Sequence, residues 1–433
     1  MPEAAVIYAV VHQPRRPRLP AAPLSPDLSP AELADAIFDE PLNRRYFRKV
    51  ARYCYHPAVE EFQSHLEAGL KLNLGFSFSF LRQAQAWDPG LVDKLRRLVS
   101  HPNVELIGVE PYHSFLFWLD LEHFRQRMAW MREALGDFFG KRPLITDTTE
   151  MIVANEIYVA LESLGFHGVL AEGRRQLLEW RSPAYLYRPP GHTLWLLPRH
   201  NTLSDDVGYR FSNKQWDGYP LRASTYARWV RDTGGDFALL GWDFETFGEH
   251  HNVDSGIFEF LRWLPGELRY HGVSTLSASE ALARFGDRAH ELELPVPATT
   301  WAGKGDMSFF LGNPVQQELF HLMRHAYHLA VLSGDPELLD IALWLCQSDN
   351  LHVLEWYEEF SSEAEVAAYF TADEWWRLGH ERLPRELRQV YENFILAVSA
   401  RLAKRPAESR LAAEEAAPEL FRAAAAQASV ALR

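Results

Sequence analysis

The chain has 433 residues, of which 47% are hydrophobic, and carries a formal net charge of −14 at neutral pH. This length exceeds what one small core can organise, so it predicts one large unit together with an accessory domain. The excess of acidic residues would repel a phosphate backbone and argues against non-specific binding to nucleic acid.

Targeting signals are not apparent in the sequence. The first residues lack the basic segment followed by an apolar segment that marks secretion, and no apolar run approaches the roughly 20 residues of a membrane helix. We therefore expect a cytoplasmic protein with no membrane partner. The two cysteines, Cys54 and Cys346, lie far apart in the sequence. They favour two buried thiols in a reducing compartment over a disulfide.

Apolar runs alternate with helix-like segments through the first two thirds of the chain. Residues 5–11 and 237–242 are continuous apolar runs, typical of strands that are buried on both faces. Further strands are predicted at residues 72–80, 104–109, 144–145, 168–170, 195–197 and 272–276. Cap residues such as Ser29-Pro30, Asp88-Pro89 and Ser277 mark helices between them. This alternation predicts a parallel α/β barrel, with an open doubly wound sheet as the alternative.

The pattern changes after about residue 290. Helices are predicted over residues 315–332, 336–346 and 384–402, because apolar positions recur there at spacings of three and four residues. We predict a catalytic barrel at residues 1–288, a helical domain at 289–405 that contributes to the substrate cleft, and a tail at 406–433. The tail is rich in Ala and Glu with little apolar periodicity, so we expect a frayed helix or flexible chain.

Histidines and carboxylates recur directly after the predicted strands. They are His12, Glu110, His113, Glu150, Asp243, Glu245, His250 and His251. The strand ends of a parallel barrel lie on one face, where active sites form. The sequence therefore predicts a single polar cleft.

Two of these carboxylates have the positions that acid catalysis requires. Asp243 follows an apolar strand, and burial at its rim would raise the carboxyl pKa, as a general acid near neutral pH requires. Alternatively Asp243 caps the next turn, although residues 243–251 hold five ionisable groups and a cap needs one. Glu150 could likewise be a first-turn acid of a helix. Paired carboxylates are the minimum apparatus for cleaving a glycosidic bond.

His12 and His113 allow three interpretations. They could be satisfied core residues, donors to sugar hydroxyls, or metal ligands together with Asp243 and His250 or His251. The sequence has neither the closely spaced histidine pair nor the cysteine pair of common zinc motifs. We therefore predict no metal site and keep a metal-dependent hydrolase, such as a carbohydrate deacetylase or α-mannosidase, as an alternative.

Short motifs in a fixed order resemble glycoside hydrolase family 57, in its α-amylase-like branch. They are His12-Gln13-Pro14, residues 104–108 with Tyr112-His113-Ser114, Thr149-Glu150, and residues 170–173, 180–183, 187–191, 203–206 and 243–250. The resemblance implies a seven-stranded (β/α) barrel with a helical C-terminal region. It also implies retaining hydrolysis or transfer on α-1,4-glucans without a cofactor. The family's nucleophile falls on Glu150, its acid/base on Asp243, and its sugar-contacting histidines on His12 and His113.

Further substrate contacts are assigned to Trp242, Glu245, Trp301 and Asp349. Aromatic residues make up 13% of the chain, with 14 tryptophans, and flat rings offer a rigid surface to the apolar faces of sugars. The sequence departs from the family at Asp147, where an Arg is usual, at Val109, and in residues 302–306 and 350–353.

An amylase-like hydrolase is the leading hypothesis. A 4-α-glucanotransferase or branching enzyme, or a catalytically impaired glucan-binding relative, is the alternative.

Overall fold

A computed structural model describes residues 2–355, 371–404 and 416–432. The chain forms two compact units. The barrel unit comprises Met1–His12, Phe47–Glu110 and Met131–Asp306, and the helical unit comprises Gln13–Tyr46, Pro111–Trp130 and Met307–Arg433. This division differs from the predicted boundaries at residues 288 and 405. Two early segments, which follow the first and third strands, fold with the C-terminal helices, and local periodicity does not report such long-range grouping.

Seven parallel strands close the barrel. The strands of the described chain are β1 (Ala4–Val11), β2 (Leu72–Phe76), β3 (Val104–Gly108), β4 (Ile145–Thr146), β5 (Gly168–Glu172), β6 (Tyr187–Arg188), β7 (Trp195–Arg199), β8 (Phe237–Asp243), β9 (Ser274–Leu276) and β10 (His290–Glu291). The closed order is β1-β2-β3-β4-β5-β7-β8, with β8 returning to β1. The predicted (β/α) barrel with a helical C-terminal region is confirmed, and the open sheet is excluded.

Apolar sequence explains the centre of the barrel. All eight residues of β1 are buried, and β1 pairs with both β2 and β8 in parallel register. The predicted strand at residues 272–276 forms only β9, which pairs with the first half of β1 outside the ring. The short strands β6 and β10 extend the sheet beside β7.

The predicted strand at residues 72–80 ends early. The apolar alternation continues through Phe78 and Phe80, but Ser77 interrupts the strand. Its Oγ accepts a hydrogen bond from the Phe80 N–H at 3.1 Å and so caps the helix Phe78–Trp87. An N-cap satisfies an otherwise unpaired amide, which outweighs the strand pattern here.

Helices follow most strands of the barrel unit. They are His56–Leu66, Phe78–Trp87, Pro89–Ser100, Asn155–Ser163, Arg175–Leu178, Asn201–Gly208, Ala223–Asp232, Ile257–Tyr270 and Ala278–Phe285, while Glu40–Val50 and Leu121–Phe139 contribute residues to both units. A π-helical segment, Ala51–Tyr55, precedes His56–Leu66, and short 3₁₀ turns occur at Thr149–Met151, Phe244–Thr246, Val253–Ser255 and Gly286–Arg288. The caps at Ser29, Asp88 and Ser277 are confirmed.

The helical unit contains the three predicted C-terminal helices. Its helices are Pro30–Ile37, Leu116–Leu119, Ser308–Leu311, Pro314–Ser333, Pro336–Leu345, Asp349–His352, Asp373–Trp376, Gly379–Ala403 and Ala417–Ala431. Ala417–Ala431 lies in the predicted tail yet buries Leu420 and Phe421, and Phe421 stacks on His123 with ring centroids 3.7 Å apart. Alanines supply much of its buried stripe, so the apolar periodicity is weak in the sequence. Residues 406–415 and 433 of the predicted tail lie outside the described residues.

Both cysteines are buried free thiols. Among the helices that the structure describes, none is both long enough and apolar enough to cross a bilayer.

Candidate active site

Glu150 lies on a tight turn just beyond the short strand β4. Its backbone is left-handed, with φ 56° and ψ 30°, and Met151 follows with φ 49°. Such conformations cost residues other than glycine about 1–3 kcal/mol each and persist only where neighbours impose them. The carbonyl of Glu150 accepts hydrogen bonds from Thr300 Oγ1 at 2.7 Å and Trp301 N–H at 3.2 Å. A distant segment of the barrel unit therefore holds this turn.

The side chain of Glu150 is oriented by the same segment. Trp301 Nε1–H donates a hydrogen bond to Glu150 Oε2 at 2.6 Å, and a bond to a carboxylate is both stronger and more directional than one between neutral groups. The helix that follows begins only at Asn155. Glu150 is therefore not a first-turn acid of that helix, and the structural alternative considered for it is wrong.

Arg199, at the end of β7, lies against the ring of Trp301. Its guanidinium lies 5.4 Å from the centre of the Trp301 ring and donates from Nε to the Gly241 carbonyl of β8 at 2.9 Å. It also pairs with Glu172 at 2.9 Å and with Asp205 at 2.7 Å. Burial raises the pKa of Glu172 to about 7, although the charge of Arg199 opposes this shift. These contacts connect the ends of β5, β7 and β8.

Asp243 ends β8 and is half-buried. It begins a 3₁₀ turn but makes no side-chain capping bond to that turn, so the capping alternative is wrong. Burial raises the pKa of the Tyr209 phenol well above its usual value, and the negative charges of Asp243 and Glu150 are among those that add to the effect. One phenol therefore lies within electrostatic range of both carboxylates.

The turn that holds Glu150 also lies close to β8, which ends in Asp243. A Cβ atom placed on Gly241 of β8 would lie 3.4 Å from Cε of Met151. The turn after β4 thus reaches β8 two residues before Asp243. The barrel unit brings Glu150 and Asp243 to the same end of the strands, as the sequence predicts.

Asp147 directly follows β4 and is buried, with 2% of its surface exposed. The Tyr8 hydroxyl donates to its Oδ2 at 2.8 Å, and the Thr148 N–H donates to its Oδ1 at 2.7 Å. Burial raises the pKa of Asp147 to about 7, the two hydrogen bonds lower it, and the charge of Asp243 raises it.

His12, which directly follows β1 in the barrel unit, is buried. Its Nδ1 lies 2.9 Å from Ser77 Oγ, which fixes the plane of the imidazole.

His113 and Asp349 meet within the helical unit. His113 is left-handed with φ 56°, its Nδ1 lies 3.2 Å from Ser348 Oγ, and its carbonyl accepts from Ser348 N–H at 2.9 Å. A side-chain nitrogen of His113 and a carboxylate oxygen of Asp349 lie within 4.8 Å of each other. Two residues that are 236 positions apart in the sequence thus form one polar pair, as 349 − 113 gives.

Comparison with known proteins assigns the family. Residues 6–295 match the family model described as Glycosyl hydrolase family 57. Over 353 residues the chain is 34% identical to a protein of Methanocaldococcus jannaschii named "Putative alpha-amylase", covering 78% of this chain and 74% of that protein. The chain belongs to glycosyl hydrolase family 57.

Solved structures agree with this family 57 fold. A branching enzyme from Thermococcus kodakaraensis aligns with a TM-score of 0.60 at 15% identity, covering 90% of this chain and 94% of its own. A 4-alpha-glucanotransferase from Thermococcus litoralis aligns with a TM-score of 0.61 at 15% identity, covering 91% of this chain and 60% of its own. At such identities the likeness concerns the fold alone. Family membership confirms the predicted resemblance and identifies a glycoside hydrolase.

Two predicted sugar contacts of this family 57 enzyme lie inside its barrel wall. Trp242 is 2% exposed, and its Nε1–H donates to the Ser204 carbonyl at 2.9 Å. Glu245 is fully buried and accepts from the Tyr55 hydroxyl. Burial raises the pKa of Glu245 well above its usual value, and Asp243 adds to the shift. Neighbouring residues of a strand face opposite sides, so Trp242 points away from the side that Asp243 faces.

One of the histidines considered as a metal ligand, His251, is already held by hydrogen bonds. Nδ1 of His251 lies 2.8 Å from Ser212 Oγ, and its Nε2 lies 3.0 Å from the Gly208 carbonyl. Both nitrogens are engaged, so His251 is not available as a metal ligand. Burial lowers the pKa of the neighbouring His250 to about 3, so that imidazole is neutral, which is the form in which histidine binds metals.

Sequence reasoning missed Tyr8, Arg199 and Tyr209. Tyr8 lies inside an apolar strand, and Arg199 ends a strand that the prediction stopped at residue 197. The signal for Arg199 was available: an arginine at the end of a buried strand requires a buried carboxylate partner.

Proposed function

We propose that this protein is a retaining glycoside hydrolase acting on α-1,4-glucans, with Glu150 as nucleophile and Asp243 as acid/base. The observation that carries the proposal is the strained turn of Glu150, whose carboxylate accepts a hydrogen bond from the Trp301 N–H at 2.6 Å. The charges of Glu150 and Asp243 both add to the raised pKa of the Tyr209 phenol, which supports their proximity. The name of the 34% identical relative supports an α-glucan substrate.

In the first step, Glu150 attacks the anomeric carbon while Asp243 protonates the glycosidic oxygen. The bond from that carbon to the leaving oxygen breaks, and a bond to a Glu150 carboxylate oxygen forms. Trp301 holds the other oxygen of Glu150, so the attacking oxygen keeps one direction. Positioning of this kind lowers the entropic part of the barrier.

In the second step, Asp243 accepts a proton from water, whose oxygen attacks the anomeric carbon and releases Glu150. Two inversions give net retention. A sugar hydroxyl in place of water would give a glucanotransferase or branching enzyme. Separating the products from a panel of α-glucans by chain length and linkage distinguishes these reactions.

Sugar contacts are proposed for further polar and aromatic residues of each unit. The ring of His12 is held by Ser77, and an imidazole can exchange hydrogen bonds with sugar hydroxyls. The same role is proposed for His113 and Asp349. Trp301 is proposed to act through Glu150 as well as through its ring.

The stereochemistry of the product tests the mechanism. Maltoheptaose hydrolysis followed by proton NMR should give the α-anomer first, and an initial β-anomer would overturn retention. If the wild-type protein binds amylose but forms neither new reducing ends nor transfer products, the catalytically impaired alternative is correct.

Azide tests the two roles separately. With α-maltosyl fluoride as substrate, Asp243→Ala should yield α-maltosyl azide, because azide attacks the glycosyl-enzyme. Glu150→Ala should yield the β-azide by direct displacement. Asp236→Ala, at the opposite end of β8, is the matched control and should form no azide product. Exchanged anomers would mean that the two roles are reversed.

A further inference from the structure

A buried tyrosine and a buried aspartate meet across the barrel, and the hydrolytic mechanism above does not use them. The phenol of Tyr8 extends from β1 and donates its hydrogen bond to Asp147, after β4. Resting on the function proposed above, we infer that Tyr8 and Asp147 form a positioning pair, which holds the Glu150 turn and sets the pH at which Asp243 loses its catalytic proton.

The fold leaves room for this contact at one glycine. A Cβ atom on Gly75 of β2 would lie 2.8 Å from both the Tyr8 hydroxyl and Cγ1 of Val109. Real Cβ atoms essentially never approach other heavy atoms this closely, so the phenol passes over β2 only because residue 75 has no side chain. Tyr8 thereby reaches from β1 to the far side of β2 and β3.

Asp147 organises the start of the Glu150 turn. Its own N–H donates to the Gly108 carbonyl of β3 at 2.6 Å, and its carboxylate accepts the next backbone N–H, from Thr148. Thr148 Oγ1 in turn donates to the Ile152 carbonyl at 2.6 Å. Hydrogen bonds thus hold the turn both before and after Glu150. Tyr8 orients the Asp147 carboxylate that accepts the Thr148 N–H.

Acidic groups act on the ionisation of both members of this pair. Tyr8 from β1 and Asp243 from β8 act on Asp147. Asp243 itself acts on Tyr8, Asp147, Tyr209 beyond the helix Asn201–Gly208, and Glu245 on its own segment. Like charges disfavour each other's ionised forms. An ionised Asp147 therefore helps to keep the proton on Asp243 that the leaving oxygen needs.

The decisive variant is Asp147→Asn, which keeps the size of the side chain and an oxygen for Tyr8 but removes the charge and the acceptor of the Thr148 N–H. The alkaline limb of the kcat profile should move to lower pH by about half to one unit, with KM nearly unchanged. Tyr8→Phe should move the limb in the same direction, because Asp147 without its hydrogen bond stays neutral to higher pH.

Matched controls separate this effect from a loss of packing. Asp236→Asn removes a carboxylate that pairs with Arg288 just before β8, and Tyr158→Phe removes a buried hydroxyl that donates to the Leu194 carbonyl. Neither change should move the pH profile. If Asp147→Asn and Tyr8→Phe lower kcat equally at every pH without moving the limb, the inference is overturned.

Thermal unfolding gives a readout that does not need turnover. The pKa of Asp147 rises on folding from 3.8 to about 7. Between these pH values the carboxyl ionises in the unfolded chain but stays protonated in the folded one, so the wild type loses stability as the pH rises. Its melting temperature should therefore fall relative to Asp147→Asn from pH 4 to pH 7, and a constant difference contradicts the buried charge. Failure of the wild type to act on any α-glucan would refute the proposed function instead.

Discussion

The two carboxylates of the candidate site are placed by different means. Asp243 is the last residue of β8, a seven-residue strand whose preceding residues are all buried and paired in regular parallel register with β1. Glu150 follows β4, which has two residues, and it adopts a left-handed conformation held by residues 300 and 301. Regular structure thus fixes one acid, and contacts distant in sequence fix the other.

This difference has a physical consequence. The position of Asp243 depends on many small contacts along a strand, so a single substitution nearby disturbs it little. The position of Glu150 depends on a few directional hydrogen bonds that offset backbone strain, so the loss of one bond should be felt in the chemistry. We expect the β4 side of the site to be the more sensitive.

The largest effect should come from the acids themselves. Glu150→Gln should lower kcat by at least about 10⁴-fold, since no other group forms the glycosyl-enzyme. Asp243→Asn should cost about 10²- to 10⁴-fold, the usual worth of proton transfer. A fluoride leaving group should restore the first step for Asp243→Asn only. Restoration in Glu150→Gln would contradict the assignment. Circular dichroism controls for folding.

Trp301→Phe is the next most severe change and tests the long-range support. It removes the donor to Glu150 and keeps most of the ring, so kcat should fall about 10- to 100-fold, as for a hydrogen bond to a charged group. Trp242→Phe loses a comparable N–H bond to a carbonyl inside the wall. It should lower the melting temperature and leave kcat near the wild-type value. Equal kcat losses in both variants would remove the distinction between the two segments.

Glu245→Gln should have a modest effect on stability that depends on pH. The folded pKa of Glu245 is raised above 4.5 by burial, so its stabilising contribution exists at low pH and is lost as pH rises through the folded pKa. The variant should melt about 2–4 °C above the wild type at pH 8 and show no such advantage at pH 4. The exposed control Glu291→Gln should behave as the wild type at both. A lower melting temperature at pH 8 would mean that the charge is compensated.

Chelation should have no effect. The proposed steps use two carboxylates and no cation, so dialysis against EDTA should leave kcat unchanged. Loss of activity that zinc restores would instead make the residues at the strand ends metal ligands and favour the metal-dependent alternative. Metal analysis of the purified protein checks the same point directly.

Much of the barrel could be predicted because its signals are local. Continuous apolar runs mark β1 and β8, caps at Ser29, Asp88 and Ser277 mark helix starts, and Asp243 follows its strand directly. For residues 417–431 the expectation was a frayed helix or flexible chain, and the packing of this helix was not predicted, because half of its buried residues are alanines, Ala424 and Ala428 beside Leu420 and Phe421. Phe78 and Phe80 continue the apolar alternation of β2, and this alternation predicts a strand. In the structure Ser77 caps a helix at this point instead.

The site was predicted less completely, because its contacts join residues that are distant in the sequence. A sequence shows that Trp242, Glu245 and Trp301 lie near candidate acids, but only the fold shows which way each points. Two of them fill the wall, and the third bonds to Glu150. Tyr8 and Asp147 are 139 positions apart, and the sequence around neither residue predicts their contact. The sequence marks Asp147 only as an acid at a position where the family usually has an Arg.

The indole of Trp301 gives Glu150 a spectroscopic reporter of its own. An N–H proton in a short hydrogen bond to a carboxylate resonates far downfield, and its frequency depends on the charge of the acceptor. Among the 14 indoles of the chain, the signal missing from Trp301→Phe can be followed in the wild type. Acid titration, inhibitor binding and esterification of Glu150 should each shift that one resonance, so the nucleophile can be observed without labelling the sugar.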